Sequence, residues 1–202
     1  GLLARVGVSL HPSRDLVQEP HAFDAMFEAK ALRTSEDFRE AYREARAFGK
    51  ALAQSGQGGG GGFLKNLVEQ RICSSIHAGL NTVRALLAGQ TVREEEDEGE
   101  MELSVKPGVE REALARLLNR LERVQSDPKL SALVYYLDRE KWLGLGVIIF
   151  SQYYDTARWF AEQLAQRYPE EAIGLYAAAG RSRLYQRGDS VSCERETLKK
   201  MV

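Results

Sequence analysis

The sequence predicts an α/β protein: a mainly helical region followed by a truncated parallel βαβ unit. Three observations predict this. Stretches with apolar residues at every third or fourth position recur from Ser35 to Leu137. A continuous apolar, β-branched run, Val147 to Phe150, appears only past Gly144, and such a run is expected to be a strand buried on both faces. A second short apolar run, Ala172 to Tyr176, follows after one helix-length interval, the order of strand, crossover helix and parallel strand.

Composition narrows the classes. The chain has 202 residues, 44% of them hydrophobic, enough for one ordinary core with a smaller appendage. Its 28 basic and 29 acidic residues nearly cancel, so no global field draws it to nucleic acid or membrane. Two cysteines, Cys73 and Cys193, are too few for a disulfide scaffold. No signal peptide and no apolar run of spanning length is read in these residues, so a soluble, cytoplasmic protein with no membrane partner is expected.

Residues 1–55 read as an N-terminal helical segment. Leu2 to Leu10 is a candidate short strand closed by His11-Pro12, and Phe23, Met26, Phe27 and Leu32 suggest a short helix over 22–32. Ser35 then caps a clearer helix whose Phe38, Tyr42, Ala45 and Phe48 share a face. Gly56 to Gly62, with five consecutive glycines, predicts a flexible linker at 56–62. As a phosphate-cradling loop it fails, because Phe63-Leu64 stand where the required Lys-Ser/Thr would be.

Residues 63–126 form a second helical region. Leu64, Leu67, Val68, Ile72, Ile76, Leu80, Val83 and Leu87 mark one long helix, or two with a bend near Ser74-Ser75, ending at Gly89. The acidic tract at 93–102 is expected to be a solvated loop. A further helix carries Leu114, Leu117, Leu118, Leu121 and Val124 inward. From residue 127 the α/β part begins: Asp127 as N-cap and Pro128 as first residue of a helix, then the strand. Asp155 is expected to cap a helix over Thr156–Tyr168, closed by Pro169. After the second strand come an Arg-rich loop and a last helix from Cys193. Two parallel strands are too few for a stable sheet, so a fragment of a larger α/β domain over 127–202 is expected.

Chemistry-bearing clusters are few. Cys73 and His77, four apart on a helix, offer half a zinc site at most, and no further ligands are identifiable. Neither a catalytic nor a metal site is predicted. Ligands of open parallel sheets bind outside the carboxyl ends of strands, which places Ser151, Gln152 and Tyr153 together with Arg181, Arg183, Tyr185 and Arg187 at such an edge. Hydroxyl, amide and guanidinium groups there suit a phosphate backbone.

Four ordered blocks then carry a resemblance: "DPKLSALVYYL", "VIIFSQYYDTARWFAEQL", "IGLYAAAGRSR" and "RETLKKMV". Together they resemble the opening of the second RecA-like lobe of a Swi/Snf-type superfamily-two helicase or ATPase, of the bacterial kind often fused to a phospholipase-D-like domain. "FLKNLVEQRICSSIHAG", with its Arg and Ser-Ser pair, resembles the helical segment leading into that lobe. The likeness covers about residues 63–202. It implies a piece of a DNA-dependent ATPase or translocase, in which Ser151, Gln152, Arg181 and Arg183 contact the nucleic-acid backbone. It also implies DNA as partner, with ATP and Mg²⁺ held by the complete enzyme and neither cofactor bound nor ATP hydrolysed by this piece alone. The departures are the absent first lobe, the absent later arginine motif, and Ala178 where the family's Tyr-x-Gly turn has glycine, with Gly180 two positions on. The alternative is a helical adaptor docking protein partners through exposed helices.

Overall fold

The computed structural model describes residues 3–5, 34–54, 58–90, 105, 108–178 and 180–201. The expected helix over 22–32 and the acidic tract at 93–102 lie outside the described residues. Four helices come first: α1 (Glu36–Gln54), α2 (Gly58–Ser74), α3 (Ile76–Leu87) and α4 (Val109–Leu121). Each packs on two neighbours, α1 on α2 and α4, and α3 on α2 and α4, closing a four-helix ring. Its interior is mainly apolar, with Phe48, Leu52, Leu64, Leu67, Ile72, Leu86, Leu114, Leu117 and Leu121 essentially removed from water. Ser35 caps α1, its Oγ accepting from the Phe38 N–H at 3.1 Å.

The glycine run corrects the linker expectation. From Gly58 onward it is the first turn of α2, and Gly61 is buried. Each glycine costs a helix roughly 1 kcal/mol relative to alanine. What offsets the cost is tertiary: Leu64, Leu67 and Val68, immediately downstream, seat in the ring's core. Close approach also favours small residues here, since a Cβ on Gly49 of α1 would lie 2.5 Å from the Lys65 side chain of α2.

Beyond the ring come α5 (Pro128–Asp138), a 3₁₀ turn (Trp142–Leu145), β2 (Ile148–Phe150), α6 (Tyr154–Arg167), β3 (Ile173–Leu175), β4 (Arg183–Gln186), β5 (Asp189–Ser192) and α7 (Arg195–Lys199), with β1 (Leu3–Arg5) at the other end of the chain. They enclose a second core of Leu133, Leu137, Ile149, Phe160, Leu164, Ile173, Leu175 and Tyr185. The α/β mixture is as expected, but the strand pairing is not. β2 and β3 do not pair with each other. β2 runs parallel to β1, in the register Leu3 to Ile148 and Arg5 to Phe150, and β1 also contacts β3 and α6. β3 instead opens an antiparallel sheet, β3-β4-β5. A segment 145 residues away by sequence thus stands beside β2, a partnership that no local pattern announces.

Two further expectations are corrected. β2 is buried on one face only: Ile149 is 4% exposed, but Ile148 is 45% and Phe150 51% exposed. The Arg-rich loop is a β-hairpin. Its two-residue turn, Arg187 (φ 52°) and Gly188 (φ 84°), has both residues in the left-handed region, the geometry whose twist matches flanking strands.

Candidate nucleic-acid interface

The carboxyl end of β2 delivers Ser151 and Gln152, but not equivalently. Ser151 folds its hydroxyl back on the chain, donating to the Tyr153 carbonyl at 2.9 Å and accepting from the Tyr153 N–H at 3.3 Å. Its only proton is thereby committed, and towards a phosphate oxygen a donor is what counts. Gln152 is exposed, with its amide available to solvent. Tyr153 turns inward, 5% exposed, and Tyr154 starts α6.

Arg181 reaches this edge from the loop after β3. Its guanidinium carbon lies 4.5 Å from the Tyr154 ring centroid, and the Tyr154 hydroxyl approaches the Arg181 carbonyl at 3.4 Å. The guanidinium lies over the ring, a cation–π contact that holds a positive charge at this edge. Beneath it, Ser182 staples the loop, donating to the Ala177 carbonyl at 3.0 Å and accepting from the Ala177 N–H at 3.1 Å. Gly180 supplies the positive φ of this loop, 73°. Arg183 is held on the hairpin, donating from Nε to Ser190 Oγ at 2.9 Å. The structure therefore brings Gln152 and Arg181 to one edge through Tyr154 and leaves Arg183 braced along the sheet.

Arg195 stands close by, its Nε donating to the Ala177 carbonyl at 2.8 Å and its guanidinium 5.2 Å from the Tyr176 ring. It lies in the fourth block of the resemblance, yet no spacing rule singled it out. The N-cap of α6 also differs from expectation. The helix begins at Tyr154, with Tyr153 as an N-cap that makes no side-chain cap bond, and Asp155 falls inside the first turn. Asp155 lies 3.8 Å from Arg71 of α2 instead, which draws it out of a capping position and offsets its charge beside the edge.

The Cys73 and His77 pair does not converge on a ligand set. His77 stacks on Trp159 of α6, ring centroids 5.5 Å apart and 3° from parallel, and its Nε2 is 3.1 Å from the Asn81 amide. Burial holds its pKa below the ordinary value, against the opposing pull of Asp155 and Glu162. Among the described residues no group of three His, Cys, Asp or Glu is placed to hold a metal ion. Nor does any helix among them have the length and apolarity to cross a membrane. The helical Gly58–Gly62 run offers no phosphate-cradling loop, so these residues do not fit an ATP·Mg²⁺ site.

Compared with known proteins, the chain matches no protein-family model, no curated protein and no solved structure.

Proposed function

We propose that this chain is a nucleic-acid-binding piece of a DNA-dependent ATPase or translocase of the Swi/Snf type, contributing backbone contacts rather than ATP hydrolysis. One observation carries the reading: Arg181, stacked on Tyr154, is presented with exposed Gln152 at the carboxyl end of β2, where two of the four resembling blocks meet. A guanidinium and an amide so placed bind phosphate oxygens without reading bases. ATP and Mg²⁺ belong, on this reading, to residues outside the chain.

The test is binding of a labelled duplex across a salt series. Arg181→Ala and Gln152→Ala are each expected to weaken affinity, and Arg181→Ala to flatten the salt dependence by about one counterion. Unchanged affinity in both variants rejects the assignment. ATP turnover by the isolated chain above a buffer blank rejects the division of labour.

A second reading, a protein-docking module, is favoured by a different observation. Tyr135 on α5, Leu145, Ile148 and Phe150 are large apolar residues 45% exposed or more. Substituting Leu145 and Ile148 by Ser while leaving DNA binding intact separates the two readings.

A further inference from the structure

The Arg and Ser-Ser pair of the α2–α3 junction take no direct part in the strand-end surface, yet they converge immediately behind it. The Tyr153 hydroxyl donates to Gln70 Oε1 at 2.8 Å. Arg71 lies 4.1 Å from the Tyr153 ring centroid and 3.8 Å from the Asp155 carboxylate. The Ser74 and Ser75 hydroxyls reach Thr156 Oγ1 at 2.8 and 2.9 Å. Gln70 with Ser74, and Arg71 with Ser75, are each four apart, so the end of α2 and the residue after it grip residues 153, 155 and 156 of the α6 N-terminus.

We propose that this clamp positions the nucleic-acid surface: Gln70 and Arg71, acting through Tyr153, fix where Gln152 and the Tyr154 platform of Arg181 stand. The inference rests on the binding reading above. Apolar packing alone would hold α6 against the ring. Directional bonds add a fixed orientation instead: Arg71, Ser75 and Thr156 are 3%, 2% and 0% exposed, and the Tyr153–Gln70 bond at the seam's edge is part-buried. Gln152 precedes the clamped Tyr153 and Tyr154 follows it, so neither can shift without breaking or stretching the Gln70 bond.

The test uses Tyr153→Phe and Gln70→Leu, which remove the bond and retain the volume, with Gln70→Glu as the variant that keeps the acceptor. A labelled short duplex is the probe. Each of the first two variants is expected to bind about five-fold more weakly, the effect of one lost hydrogen bond. The salt slope should stay unchanged, because neither residue touches phosphate, whereas Arg181→Ala flattens it. The double variant should be no weaker than either single one, since both remove the same bond. Without DNA, amide exchange over residues 151–156 should rise in both single variants and stay low in Gln70→Glu. Unchanged affinity and exchange in Tyr153→Phe and Gln70→Leu, with Arg181→Ala still weakened, overturns the clamp and leaves the binding reading standing. Raised exchange with binding that no variant alters, Arg181→Ala included, overturns both the surface assignment and the positioning role.

Discussion

The four-helix ring and the α/β region solve the same burial problem by different means. The ring closes on itself with helices of 12 to 19 residues, each contributing an apolar stripe to one interior. The α/β region is built on strands of three and four residues, and its parallel strand pair joins segments from opposite ends of the chain. Between them lies a seam of hydroxyls, an amide, a guanidinium and the carboxylates of Asp127 and Asp155. The lesson is that a region held by local periodicity supports one held by distant pairing, and the support is polar and directional.

The sharpest way to break that contrast is to hollow each core in turn. Phe48→Ala in the ring and Phe160→Ala in α6 each remove a fully buried ring, and each is expected to cost about 3–5 kcal/mol in urea unfolding. If the two regions are distinct cooperative units, Phe160→Ala strips exchange protection from β3 and β4 while α1–α4 stay protected. Simultaneous loss in both regions makes them one unit.

Next in size is the seam's Asp127 carboxylate. Asp127 Oδ1 accepts from the N–H groups of Lys129 and Leu130, and Oδ2 accepts from the Ile76 N–H at 2.7 Å. Asp127→Ala removes the N-cap of α5 and leaves the buried Ile76 N–H of α3 bare, an expected loss of about 2–4 kcal/mol by the same measurement. Thr156→Val, which keeps shape and deletes the hydroxyl between Ser74 and Ser75, is expected to cost about 1 kcal/mol.

The seam also carries a pH dependence. His77 has its folded pKa held below the usual imidazole value by burial, with Asp155 and Glu162 raising it and Arg158 and Arg84 lowering it. The unfolded chain therefore binds the proton more readily. Stability is fully present above the ordinary pKa and is lost as pH falls through it towards the folded value. A pH series of unfolding midpoints should show that decline, and His77→Gln should flatten it. The smallest effect belongs to the ring's rim: Arg120→Gln breaks a half-exposed pair with Glu40 and should change stability by no more than about 1 kcal/mol.

Legibility in the sequence follows the same divide. The cap of α1 at Ser35, the break at Ser74-Ser75 within the ring and the cap of α5 at Asp127 just beyond it are local events, and the structure has them where the residues place them. The glycine run misled because intrinsic helix cost is local, whereas the packing that overrides it at Leu64 and Leu67 is not. In the α/β region the strands at Ile148–Phe150 and Ile173–Leu175 were legible, but their partners were not, since β1 lies at the far end of the chain. The hairpin had a signal, Arg187-Gly188 between alternating residues, that the arginine count obscured. Of the edge, Gln152 and Arg181 followed from strand-end position. Tyr154 as platform, Gln70 as anchor and Arg195 as neighbour needed tertiary geometry.

Asp127 has a consequence for the order in which the molecule assembles. Its Oδ1 caps α5 through its near neighbours Lys129 and Leu130, while its Oδ2 takes the first N–H of α3, that of Ile76, 51 positions upstream. During synthesis all four helices of the ring emerge before Asp127, and the loop that Asp127 must close spans α3 and α4. The ring then serves as a template on which the later half condenses, and a chain stalled before Asp127 would display a bare Ile76 N–H at the place where that half begins.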